Sequence, residues 1–218
     1  MIIPTVCVVG SKDSGKTTIA KNLVAELAGR GLRVAAAKHS HHDFSFSEEG
    51  RDTRLFEEAG AESVFFVGEG HSVSLKKIDG QEKLKVAAAR YAVDCDVLVA
   101  EGWRRSEFPK VLVFLEKEKA AEREFPANVK AVVCPARLDI EAPHFLPDQI
   151  EELADYLLGE VIAETDQTAV TVVLNGKYLP VKGFVQEFIS GGVLGMVSSL
   201  KGAEDIKTLE VSIRLGKD

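Results

Sequence analysis

Residues Gly10-Ser11-Lys12-Asp13-Ser14-Gly15-Lys16-Thr17-Thr18 fit the spacing G-x-x-x-x-G-K-[ST], which suits one task, holding a polyphosphate. Gly10 and Gly15 permit backbone conformations that turn successive N–H groups inward onto an anion. Lys16 supplies a cation for the β- and γ-phosphates, and the Thr17 hydroxyl is a ligand for Mg²⁺. At average residue usage, a chance match in a chain this long arises in roughly one case per hundred. A second segment, Asp96-Val97-Leu98-Val99-Ala100-Glu101-Gly102, is an apolar run closed by a carboxylate and a glycine. Glu101 is expected to hold Mg²⁺ or orient an attacking water, against the plainer reading of a solvent-facing loop glutamate. A third, Lys38-His39-Ser40-His41-His42-Asp43-Phe44, offers Asp43 to the metal or to water, and His39, His41 and His42 to phosphate oxygens or a partner. Imidazoles at that density also suit a transition metal, and surface histidines without a role are the third reading.

These groups need a scaffold that brings three segments to one edge. Val6-Cys7-Val8-Val9 is a short apolar run before the glycines, and Ile19, Leu23 and Leu27 recur at helical spacing after them. Strand, glycine loop and helix is the context the motif requires. Further strands are expected at 5–9, 33–38, 63–67, 97–100, 111–115 and 129–134. Helices are expected at 16–28, 53–59, 81–92 and 147–158, the last with Pro147 at its first position. Residues 72–78, followed by Asp79-Gly80, read as one arm of a hairpin. Strands alternating with helices predict an α/β fold: a P-loop NTPase-like, doubly wound, mostly parallel sheet over residues 1–159. In such sheets, ligands bind at the carboxyl ends of the strands, where all three segments emerge.

After a charged connector, 160–167, the rhythm changes. Residues 169–174 alternate, Asn175-Gly176 is a hairpin turn, 178–181 return, 184–200 look helical, and 209–215 read as a last strand. This predicts a small C-terminal ββαβ (α+β) appendage over 168–218. Its helix carries Phe184, Phe188, Leu194 and Val197, which either cover their own sheet or present a docking or dimerisation surface.

Composition narrows the classes. The 218 residues carry a net charge of −7, which argues against a sequence-independent nucleic-acid binder. Cys7, Cys95 and Cys134 are isolated, without C-x-x-C spacing, and read as thiols rather than zinc or redox ligands. No run approaches the roughly 20 apolar residues of a membrane span, and the first strand begins too early for a signal peptide. A cytoplasmic protein is expected.

Taken together, Val9–Thr18, Lys38–Phe44, Glu58-Ala59-Gly60-Ala61, and Val99-Ala100-Glu101-Gly102-Trp103 through Pro109-Lys110-Val111 resemble the molybdopterin-guanine dinucleotide biosynthesis protein B (MobB) family over about residues 1–158. The resemblance implies a GTP-binding protein, often a homodimer, that hydrolyses GTP slowly at most. It also implies a guanylyltransferase partner that attaches GMP to molybdopterin, with molybdopterin itself a further candidate ligand. By the same resemblance, Gly15, Lys16, Thr17 and Thr18 bind phosphates and Mg²⁺, with Asp43 and Glu101 near the metal; His41 is a further candidate contact. No N-K-x-D motif reads the base. The loop Cys134-Pro135-Ala136-Arg137-Leu138-Asp139 follows the last predicted sheet strand, and the Asp139 carboxylate matches the N1 and N2 donors of guanine. Two other classes stay open on the residues alone: a P-loop small-molecule kinase with Asp43 as base, and a metal-insertion GTPase chaperone using the histidines.

Overall fold

The computed structural model describes residues 3–40, 55–56, 58–76, 84–114, 125–162, 170–175, 177–206 and 208–213. Two compact units are present, residues 1–39 with 84–218, and residues 40–83.

In the larger unit, β1 (Thr5–Val9), β2 (Val34–Lys38), β5 (Val97–Glu101), β6 (Lys110–Val113), β7 (Val129–Val133) and β8 (His144–Phe145) form one six-stranded sheet in the order β2-β5-β1-β6-β7-β8. Every pairing in it is parallel. All five residues of β1 are buried, as a central strand covered on both faces must be. Alternation assigns the faces. Val6, Val8, Val97 and Val99 pack with Ile19, Leu23 and Leu27 of α1 (Lys16–Gly29) and with Leu153 and Leu157 of α3 (Ile150–Leu157). Cys7, Val9, Leu98, Ala100 and Leu112 pack on the opposite side with Leu84 and Ala88 of α2 (Leu84–Tyr91). Helices therefore cover both faces, the doubly wound arrangement the sequence predicts. Burying each of these Val and Leu side chains contributes about 1.5–3 kcal/mol, so the middle of the sheet is the firmest part of the unit. The site hangs from its carboxyl edge.

Several boundaries differ from the sequence reading. The helix expected from Pro147 begins at Ile150, because Leu146 N–H donates to Gln149 Oε1 and holds 146–149 in a turn. It then widens into a π-helical turn at Leu158–Ile162. β8, only two residues long, was not anticipated.

In the smaller unit, β3 (Ser63–Val67) pairs antiparallel with β4 (Ser72–Lys76), Ser63 opposite Lys76, around a turn closed by Gly68 N–H to His71 O. Residues 63–67 thus form a local hairpin rather than a strand of the parallel sheet. Residues 72–76 are one arm of a hairpin, as the sequence predicts, with the turn of this hairpin before β4; Asp79-Gly80 lies outside the described residues. Of the helix expected at 53–59, residues 55, 56 and 58 are helical.

At the C-terminus, β9 (Val172–Leu174) and β10 (Lys177–Leu179) pair antiparallel, and α4 (Gly183–Val197) runs unbroken through Gly191-Gly192. The expected final strand is absent from 208–213, which pair with no strand, so the described appendage is ββα. Lys85 of α2 ties it to the larger unit's body, its ammonium 5.2 Å from the Tyr178 ring centroid and 6.0 Å from that of Phe108.

Candidate functional site

The glycine loop connects the carboxyl end of β1 to the first turn of α1. Asp13 and Gly15 adopt positive φ, 58° and 87°, and Ile19 N–H reaches back to Gly15 O at 3.1 Å to start the helix. Gly10 is required for a different reason: a Cβ there would collide with Ser14 Oγ and with Val113 O of β6. Lys16 Nζ donates to Ser11 O across the loop. Lys12, Asp13, Thr17 and Thr18 are exposed, whereas Ser14 is fully buried. The hydroxyl oxygens of Ser11 and Ser14 are buried with no hydrogen-bond partner. Unpartnered buried hydroxyls cost free energy, and beside a helix N-terminus they fit an anionic oxygen as acceptor.

Glu101 meets this loop from the next strand. β1 and β5 are in register with Val8 opposite Glu101, which brings the carboxylate level with the start of α1. Thr17 Oγ1 donates to Glu101 Oε2 at 2.8 Å, and Lys38 Nζ lies 3.4 Å from Oε1. Lys38 is aligned with Glu101 by the β2–β5 register, and His39 N–H donates to Glu101 O at 3.0 Å. A hydroxyl and a carboxylate in direct contact are two hard oxygen donors of the kind that hold Mg²⁺.

The chain then turns sharply. Gly102 has φ 109°, and a Cβ on it would sit 2.9 Å from His39 Cβ. Trp103, with φ 52°, brings its ring to 5.2 Å from that of His39. His39 and Trp103 therefore make one wall beside Glu101. The following loop is pinned by Lys110, whose fully buried ammonium donates to Ser106 O at 2.6 Å and Phe108 O at 2.8 Å. Burial pushes the Lys110 pKa down and the neighbouring Cys7 thiol pKa up.

Further along the same edge, the loop after β7 borders a cavity of about 300 Å³ lined by Cys134–Arg137 and Ala142–Leu146. His144 staples this loop: Leu138 N–H donates to Nε2 at 3.1 Å, so the proton is on Nδ1, which donates to Ala142 O at 2.9 Å. Asp139 is exposed and does not line the cavity.

Of the residues singled out from sequence, Gly10 to Thr18 and Glu101 converge. His41, His42 and Asp43 lie outside the described residues. Among those described, no three His, Cys, Asp or Glu side chains form a metal cage. Lys38, Lys110 and His144 were missed as site residues. Lys38 and Lys110 stand in segments that carry the family resemblance but have no role assigned there, and His144 is flagged by no pattern.

A parallel doubly wound sheet with a glycine loop between β1 and α1 defines a P-loop NTPase-like α/β protein. The model of the family described as molybdopterin guanine dinucleotide synthesis protein B matches residues 5–135, and the chain belongs to that family. It is 28% identical over 156 residues to the molybdopterin-guanine dinucleotide biosynthesis adapter protein of Haemophilus influenzae, covering 71% of this chain and 88% of that one. A relative in Methanocaldococcus jannaschii is 22% identical over 232 residues and spans 96% of this chain and 97% of its own. The crystal structure of Bacillus subtilis MobB superposes with a TM-score of 0.60 at 25% identity, covering 73% of this chain and 98% of that one.

Proposed function

We propose that this chain is a nucleotide-dependent adapter in molybdopterin guanine dinucleotide biosynthesis, binding Mg·GTP at the Gly10–Thr18 loop and assisting the guanylyltransferase that joins GMP to molybdopterin. The observation that carries the nucleotide reading is the Thr17–Glu101 hydrogen bond beside a loop with two unpartnered serine hydroxyls. In this reading the Gly10–Gly15 amides and Lys16 hold the phosphates, Thr17 and Glu101 hold the metal with Asp43, and His41 contacts the nucleotide. Mg²⁺ would neutralise phosphate charge. Lys16 exchanges the Ser11 carbonyl for phosphate oxygens. The wall of His39 and Trp103 limits the access of water.

The base is assigned to the Cys134–Leu146 cavity. It lies two strands from β1 along the carboxyl edge and offers loop amides and carbonyls that His144 keeps in place. Asp139 reads guanine in this scheme by swinging inward, so Asp139→Ala should narrow the preference for GTP over ATP. The partner assignment draws on the relatives' adapter names and on the family. Slow turnover, on the order of 10⁻³ s⁻¹, is expected, against roughly 1–100 s⁻¹ for kinases. Steady-state phosphate release by the purified chain, alone and with small hydroxyl acceptors, tests this. Kinase-like transfer to an acceptor would replace the adapter reading with a kinase.

A further inference from the structure

The chain around the Cys134–Leu146 cavity spends most of its hydrogen-bond donors on itself. Pro135 and Pro143 carry no N–H. Cys134 N–H donates to Phe145 O at 3.0 Å, Ala136 N–H to Cys134 Sγ at 3.5 Å, and Leu138 N–H to His144 Nε2 at 3.1 Å. Ala142 N–H goes to Ile140 O and Leu146 N–H to Gln149 Oε1, both at 2.8 Å. Both ring nitrogens of His144 are held by the backbone. One strong side-chain donor remains. Arg137 lines the cavity of about 300 Å³ and is exposed, and its guanidinium has no hydrogen bond or ion pair among the described residues. It lies just past residues 5–135, the span that the family model matches.

We propose that Arg137 sets the base specificity, its guanidinium donating to O6 and N7 of a 6-oxopurine, a role that rests on the assignment of the base to this cavity. Arginine carries five N–H donors in a fixed fork, accepts nothing, and stays charged in proteins. It therefore selects a ligand edge with two acceptors side by side. Guanine presents O6 and N7 in that arrangement, whereas adenine sets a donor, N6, beside the N7 acceptor. With adenine in the cavity, one N–H of the fork would face another donor. This edge is distinct from the N1 and N2 donors given to Asp139. Hypoxanthine shares O6 and N7 with guanine and lacks the N2 amine. The class that Arg137 selects is therefore the 6-oxopurine nucleotides, with guanine one member.

Calorimetric titrations of GTP, ITP, 7-deaza-GTP and ATP, each with Mg²⁺, into wild type, Arg137→Ala and Arg137→Lys test it. Arg137 is exposed on a loop, so both variants should keep the wild-type circular dichroism. Arg137→Ala should lower the preference for GTP over ATP by about five- to a hundredfold, and that for ITP over ATP by the same factor. Lysine keeps the charge but not the fork, so Arg137→Lys should not recover either preference. Wild type should bind 7-deaza-GTP less tightly than GTP, and Arg137→Ala should bind the two alike. Equal losses for GTP and ATP, as a phosphate contact or stacking would give, would overturn the proposal. So would a preference that survives in Arg137→Ala or returns in Arg137→Lys. Wild type that binds GTP and ATP equally would overturn it and leave the triphosphate site standing, whereas wild type that binds neither would remove that site as well.

Discussion

Replacing Glu101 with Gln separates its role in the fold from its proposed role at a metal. Its carboxylate accepts from Thr17 Oγ1 at 2.8 Å and faces Lys38 at 3.4 Å, with a side chain only 15% exposed. Gln has the same size and its amide oxygen can still accept from Thr17, so what is lost is charge. A charge-assisted hydrogen bond exceeds a neutral one by about 1 kcal/mol. Lys38 is 62% exposed, so its pairing adds little beyond that. The ligand-free variant should therefore lose about 1 kcal/mol, or about 2–4 °C in Tm for a chain this size. The effect on the metal should be much larger. If Glu101 and Thr17 hold Mg²⁺, Glu101→Gln should cut the gain in GTP affinity on adding Mg²⁺ by about 10–100-fold. Calorimetric titrations of GTP into wild type and variant, with Mg²⁺ and with chelator, read that gain directly. A variant with the full wild-type gain would refute the metal assignment, whatever its Tm.

Gly10→Ala should destabilise by about 1–3 kcal/mol, because its Cβ must displace a β6 carbonyl that is locked in the sheet; chemical denaturation checks this. Lys110→Met should cost about 1–3 kcal/mol, since Ser106 O and Phe108 O lose a buried donor, and tryptophan fluorescence should report the shifted Trp103 loop. Among the thiols, Cys7 and Cys134 are buried, and the Cys95 pKa is raised above that of an ordinary thiol, first by desolvation and then by Asp94. Raising the pKa lowers the thiolate fraction at neutral pH. Alkylation of native protein should therefore label Cys95 alone, more slowly than a free thiol, with a rate still rising at a pH where that of a free thiol has levelled off.

The glycine loop was legible because its motif fixes local geometry, and its flanks carry their own periodicities: five consecutive buried residues in β1, then Ile19, Leu23 and Leu27 on one helix face. Glu101 was legible because a buried run ending in a carboxylate has few other uses in a parallel sheet. Residues 63–67 misled, since a short apolar run does not distinguish a central strand from one arm of an exposed hairpin; Phe65 and Phe66 are 69% and 53% exposed. β8 has two residues and no period to detect. Lys110 stands in the Pro109-Lys110-Val111 segment without an assigned role, because a lysine reads as surface until tertiary structure supplies carbonyl acceptors around it. The loop at Asp139 was placed correctly after a sheet strand, but which of its side chains line the neighbouring cavity depends on the His144 staple, a contact six residues away that no local pattern encodes.

Every proposed role above depends on the glycine loop being a nucleoside triphosphate site. Isothermal titration of Mg·GTP and Mg·ATP into wild type and Lys16→Ala measures that claim most directly. Wild type should bind GTP more tightly than ATP, and removing the lysine ammonium should cost at least about 2 kcal/mol, roughly 30-fold. Wild type that binds neither triphosphate at millimolar concentration, or Lys16→Ala that binds GTP as tightly as wild type, would contradict it.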